Sequence, residues 1–202
     1  MRDEVIVVAL LLAAYWILTD DNGGQGGGSS NWDGISESVL TTFDEVVGSF
    51  SNQPLEDMKT SQNGIDMLKR RESLRLTRYT LGDGGYTWGY GHFDKNPNAL
   101  PVNITADQAE AIFADDLVNR GEKWVKLYVS VPVSQNQFDA LVSIAYNMSP
   151  QSFKKFADQV NAGNGINAIA DTSVGWVASN LQNGIRNRRA EEKRLFNEGI
   201  YA

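Results

Sequence analysis

The chain has no cysteine and a single histidine, His92, in 202 residues, and these two shortages remove whole reaction classes. A thiol nucleophile is excluded, and no disulfide can form whichever compartment the chain reaches. Zinc draws its three or four protein ligands mainly from Cys and His. With one imidazole the set would be almost all carboxylate, which zinc rarely accepts. Cysteine peptidases and zinc-dependent amidases are therefore set aside, and neither a metal nor another cofactor is expected. Basic surface is equally scarce. The formal net charge is −7, with 2 basic and 10 acidic side chains in residues 1–60 against 16 basic and 15 acidic in residues 61–202. The acidity belongs to the N-terminal part, and the near-neutral remainder lacks the clustered basic face of a nucleic-acid binder.

What is present divides the chain into four parts. Val5 to Thr19 (VIVVALLLAAYWILT) carries no charge and lies between Arg2 and the pair Asp20 and Asp21. Residues 1–21 therefore read as a membrane anchor or signal segment. Tyr15, Trp16, Ile17 and Leu18 make a poor signal-peptidase site, which favours an uncleaved transmembrane or signal-anchor helix. The charge bias puts its N-terminus in the cytoplasm and the rest outside, in the periplasm if the host inner membrane holds it; in a virion membrane the same segment would serve. Residues 22–33, with NGGQGGGSS at 22–30, form a Gly/Ser-rich linker. Residues 34–60 hold an acidic amphipathic helix over about 34–50, with Ile35, Val39, Phe43, Val46, Val47 and Phe50 at helical spacing, and a connector. That apolar face packs on the domain, on a second copy, or on virion or envelope partners; the sequence does not choose.

Residues 61–202 carry the dense patterning. Ile65 and Leu68 mark a short helix running into Arg70, Arg71 and Glu72. Leu74, Leu76 and Tyr79 then alternate, GDGG at 82–85 supplies a turn, and YTWGYG at 86–91 completes a β-hairpin. Capping boxes at Thr105/Gln108 and Ser134/Gln137 predict helices over about 105–120 and 134–147. The second has a stripe of Phe138, Leu141, Val142 and Ala145 widened by Ile144, the mark of a helix buried on more than one side. Further helices are expected over 152–162, ended by Gly163, and 185–198, ended by Gly199. The sum is an α+β domain, a small helix and β-hairpin lobe followed by a mostly helical lobe.

With thiol and metal chemistry gone, carboxylates and hydroxyls remain. Glu72 sits at the C-terminal end of its helix, where the carbonyl ends disfavour a second negative charge. A carboxyl kept protonated in this way can donate a proton to a leaving oxygen. The bland reading is a solvated glutamate paired with Arg70, Arg71 or Arg75.

The surroundings add specificity. ESLRLTRY at 72–79 with TWGYGH at 87–92 resembles the active-site hairpin of the phage-type lysozymes, glycoside hydrolase family 24. SQNQFDALVSIAYN at 134–147 is similar to that family's buried central helix, VNAG at 160–163 to its next helix end, and GIRNRRAEE with LFNEG at 184–199 to its closing helix. The resemblance covers about residues 61–202 and implies a lysozyme-like fold and a muramidase acting on peptidoglycan. In that frame Glu72 would protonate the oxygen between N-acetylmuramic acid and N-acetylglucosamine. A second acid and Thr87 would hold the attacking water, the inverting arrangement. Arg188 would pair with Glu72, with surface solvation as the alternative because Arg189 is equally placed to be the exposed member of the pair, and His92 would be a supporting residue near the acid or simply a satisfied structural histidine. The chain departs from the pattern at Leu81, where the best-known members have aspartate. Asp83, two residues on, is the candidate replacement, with an ordinary turn aspartate as the alternative. Leu81 also keeps a lytic transglycosylase in view, which needs no water-holding acid. A third reading is a virion-associated wall-binding protein that keeps the fold without cutting.

Overall fold

The structure, a computed structural model, describes residues 53–201 apart from Leu81 and Asp83. The expected anchor, linker and amphipathic helix lie outside the described residues. Among those described, no helix is long and apolar enough to cross a membrane.

The first helix, α1 (Gln62–Glu72), begins at Ser61, whose side chain accepts from the Gly64 backbone N–H. It lays Met67 and Leu68 into the core. Three short antiparallel strands follow, β1 (Arg75–Tyr79), β2 (Tyr86–Gly89) and β3 (His92–Asp94), in that order across the sheet. The expected hairpin is thus a three-stranded sheet. Tyr79 pairs with Thr87, Thr87 with Phe93 and Trp88 with His92, and β1 bulges between Arg75 and Tyr79.

Helix α2 (Ala106–Asp116) starts at the Thr105/Gln108 capping box. The expected stop near residue 120 is not a stop: a π-helical turn (Leu117–Glu122) passes directly into α3 (Lys123–Tyr128). α2 joins the two lobes, because Ala109 packs with Trp88 and Ile104 under the sheet while Phe113, one turn on, belongs to the main helical core. Helix α4 (Gln135–Tyr146) is the axis of that core, with every residue from Phe138 to Tyr146 buried. α5 (Pro150–Asn161) starts two residues earlier than expected, at a Ser149 cap followed by proline, and Gly163 follows its end at φ 76. α6 (Asn167–Ser173) and two 3-10 turns were not foreseen. The closing helix α7 (Gln182–Glu198) ends at Gly199 in the left-handed region.

Residues ahead of α1 belong to the packed unit. Met58 is 2% exposed, and both the backbone N–H and the hydroxyl of Thr60 donate to buried Glu122, at 2.7 and 2.8 Å. The N-terminus of α1 is fixed by Asp139 of α4, which is fully buried. Asp139 accepts from the Ser61 backbone N–H at 3.0 Å, the Ser61 hydroxyl, Gln135 at 2.9 Å and the Tyr201 hydroxyl at 2.7 Å.

Candidate active site

Glu72 is the last residue of α1, and the chain leaves the helix in one step, since Ser73 adopts φ 53. Such a backbone costs a non-glycine residue of order 1–3 kcal/mol and persists only where the surroundings enforce it. Arg188, on α7 and 116 residues away in sequence, donates from Nη2 to Glu72 Oε1 at 2.7 Å. The Arg188 and Glu72 side chains are 14% and 16% exposed, dry enough for a charge-assisted bond to hold geometry. Gly91 closes over the other carboxylate oxygen. It sits at φ 89, and a Cβ there would stand 3.2 Å from Glu72 Oε2, so both backbone and space call for glycine.

α7 is held in register by a second set of charges. Arg189, the other candidate for the exposed member of the pair, is 2% exposed. It pairs with fully buried Glu192 and donates to Ser173 Oγ at 3.2 Å. Glu192 also accepts from Ser143 at 2.7 Å, and Arg71 reaches Glu191 at 2.7 Å and Ser143 at 2.8 Å. The reason is helical spacing: successive residues point about 100° apart, so turning Arg188 toward Glu72 turns Arg189 toward α4 and α6. Buried charges survive only when paired, and Glu192 supplies the partner.

On the lobe side, the Tyr146 hydroxyl donates to the Tyr90 carbonyl at 3.0 Å, tying the end of α4 to the loop between β2 and β3. Burial first, then the negative charges of Asp116 and Glu72, push this hydroxyl far above the ordinary tyrosine range. It therefore stays a neutral donor at any working pH. His92 Nδ1 lies 2.9 Å from Asp116 Oδ2, and Arg120 approaches the same oxygen at 3.5 Å. The hydrogen bond to Asp116 raises the His92 pKa above its ordinary 6.5, against the opposing effect of burial. His92 thus bonds Asp116, and both Asp116 and Glu72 act on Tyr146.

Thr87 is in β2 and 6% exposed; strand alternation puts its side chain on the sheet face opposite Tyr86 and Trp88. Asp83 and Leu81 lie outside the described residues. Glu72 and Gly91 line a cleft of about 480 Å³ together with Arg120, Trp124, Tyr146 and residues 147–150. Of the residues named from sequence, Glu72 and Arg188 are brought into contact, while Thr87 and His92 stand on neighbouring strands of the small sheet. Sequence reasoning missed Tyr146, Arg120, Trp124 and Asp116. The one available signal was the aromatic Tyr146 at the C-terminal end of the helix predicted to be buried. Chemically, the cleft presents the Glu72 carboxyl with the Arg188 guanidinium bonded to it from α7.

Residues 69–192 match the family described as phage lysozyme. The chain belongs to that family. The matched stretch of this phage lysozyme chain begins three residues before Glu72 and runs through Arg188, so it includes every residue that lines the cleft. Among relatives, the chain is 39% identical over 148 residues to an endolysin of Bacillus phage PZA, a match covering 70% of this chain and 56% of that protein. The chain thus spans little more than half the length of that relative. Among solved structures it is similar to an endolysin from Escherichia coli O157:H7 phage FAHEc1, with 33% identity, a TM-score of 0.58, and 72% and 98% of the two chains covered. It is equally similar to the muramidase domain of SpmX from Asticaccaulis excentricus, again at 33% identity and TM-score 0.58, covering 69% and 97%. The family accounts for the lysozyme-like fold, with helices and a small three-stranded sheet.

Proposed function

We propose that the chain is a muramidase that cuts the glycan strands of peptidoglycan, with Glu72 giving its proton to the oxygen between N-acetylmuramic acid and N-acetylglucosamine. The observation that carries this reading is the Glu72 carboxylate in the cleft, held at 2.7 Å by Arg188. Once the proton has gone, the guanidinium meets a full negative charge, and an interaction that strengthens along the reaction is what accelerates it. Thr87 and Asp83 hold the attacking water on the opposite face of the sugar. Inversion then requires the Asp83 carboxyl about 6.5–9.5 Å from that of Glu72.

The test is Glu72→Gln, which keeps the shape but has no proton to give. Lysis of purified walls is expected to fall by at least about a thousandfold while the melting temperature moves little; undiminished lysis by the folded variant refutes the reading. Reducing muramic ends among the products mark hydrolysis. Anhydro-muramic ends, which the leucine at position 81 would permit, mark a transglycosylase instead. Wall binding without cleavage by the parent chain marks the binding-protein reading.

The same proposal extends to residues 1–33. The apolar run at 5–19 holds the enzyme at a membrane, the host inner membrane or that of a virion, and the glycine-rich linker lets the domain reach the wall from outside the cytoplasm. Fractionation before lysis should find the protein with membranes, and a mature chain beginning near Asp20 would remove the anchor.

A further inference from the structure

The cleft carries one large aromatic surface that the proton chemistry leaves without a task. Trp124 on α3 lines the same space as Glu72. Its indole is half-buried and stacks on Tyr128, with planes 16° apart and ring centroids at 6.1 Å, and both rings rest against the helical core. The ring is therefore held by its neighbours. Arg120 lies four residues earlier, on the order of 6 Å along the helix axis, and both side chains line the cleft, as residues four apart on one helix face can. Apolar Met148 and Pro150 and polar Asn147 complete that wall.

A pyranose ring matches this wall. One face presents C–H groups that suit the electron-rich face of an aromatic ring, while its edge presents hydroxyl and amide groups that need hydrogen-bonding partners. We propose that Trp124 is the platform on which one N-acetylhexosamine of the glycan strand stacks. Arg120 and Asn147 provide polar partners along the sugar's edge, and the exposed Lys123, whose ammonium stands over the indole face at 5.2 Å from its centroid, gives up that seat to the sugar and turns to its hydroxyls. Trp124 is thus a positioning residue that sets which sugars sit beside Glu72. The inference rests on the cleft being a glycan site.

The experiment titrates the full chain with a β-1,4-linked N-acetylglucosamine hexamer, following indole N–H resonances by NMR and affinity by calorimetry. The parent chain is expected to bind with the Trp124 resonance among the most shifted. Trp124→Leu, which keeps apolar bulk against Tyr128, should weaken binding and raise KM on soluble wall fragments about tenfold, with kcat changed by less than about threefold. Trp124→Phe should recover most of the affinity. An unshifted Trp124 resonance, no binding by the parent, or unchanged affinity in Trp124→Leu each overturns the platform. The resonance reads the platform even if the leucine variant folds poorly. Glu72-dependent cleavage that ignores Trp124 sinks this inference alone. Trp124-dependent binding with no Glu72-dependent cleavage sinks the muramidase reading and leaves the platform standing.

Discussion

Arg188 meets Glu72 through a single Nη2 contact, so its effect on catalysis should be separable from folding. Removing the cation leaves Glu72 to develop its charge against the carbonyl ends of α1 alone. Arg188→Gln is expected to lower kcat by about tenfold or more with KM little changed, measured on soluble wall fragments. A purely structural arginine would instead lower the melting temperature and spare kcat in the folded fraction. His92 makes a pH-dependent case. Its folded pKa is raised by Asp116, so its stabilisation is whole below the unfolded value of about 6.5 and is lost as pH rises through the folded one. The gap in melting temperature between parent and His92→Gln should therefore be wider at about pH 5.5 than at about pH 8.5. Equal gaps would rule out a charged His92–Asp116 pair.

At the scale of elements, α1 acts as a strut with Glu72 at one end and the Asp139 anchor at the other. Gly64 lies in the first turn, where a Cβ would stand 2.8 Å from Asp139 Cγ and 3.0 Å from Thr60 Cγ2. Gly64→Ala should destabilise the domain by roughly 1–3 kcal/mol, seen as a lower urea midpoint. A wild-type midpoint would mean that α1 has room to shift. The elements most legible in the sequence were those with local signals. The capping boxes at Thr105 and Ser134, the glycine after residue 198 and the broad apolar surface of α4 all appear as expected. Three kinds of feature were not legible. β3 is three residues long, too short for an alternation to register. The helix through residue 128 contains Gly121, which a local reading takes as a stop, although tertiary packing carries the backbone through in a π turn. α6 has no side-chain cap at its start.

At the scale of the whole molecule, the site depends on contacts between distant parts of the sequence, and these set the limit of sequence reading. Helix position and neighbouring residue types singled out Glu72. Its partnership with Arg188 followed only from the family resemblance, and nothing local distinguished Arg188 from Arg189, which is buried against Glu192. The Asp139 cluster, joining residues 61, 135, 139 and 201, had no sequence signature, because no periodicity reports a carboxylate shared across such separations. Tyr201 gives that cluster a measurable edge. Burial and then the bond to Asp139 push its hydroxyl up to about 12 from an ordinary 10.0. The contribution is whole below the ordinary value and erodes as pH climbs from there through about 12. Between about pH 9 and 11, the parent should lose melting temperature more steeply than Tyr201→Phe; parallel slopes would exclude this hydroxyl as the cause. The consequence reaches the bench. A carbonate wash at about pH 11, applied to learn whether this protein is embedded in a membrane or merely adheres to it, would remove part of the stability that the Tyr201–Asp139 bond contributes during the measurement. Concentrated neutral salt is the cleaner extractant.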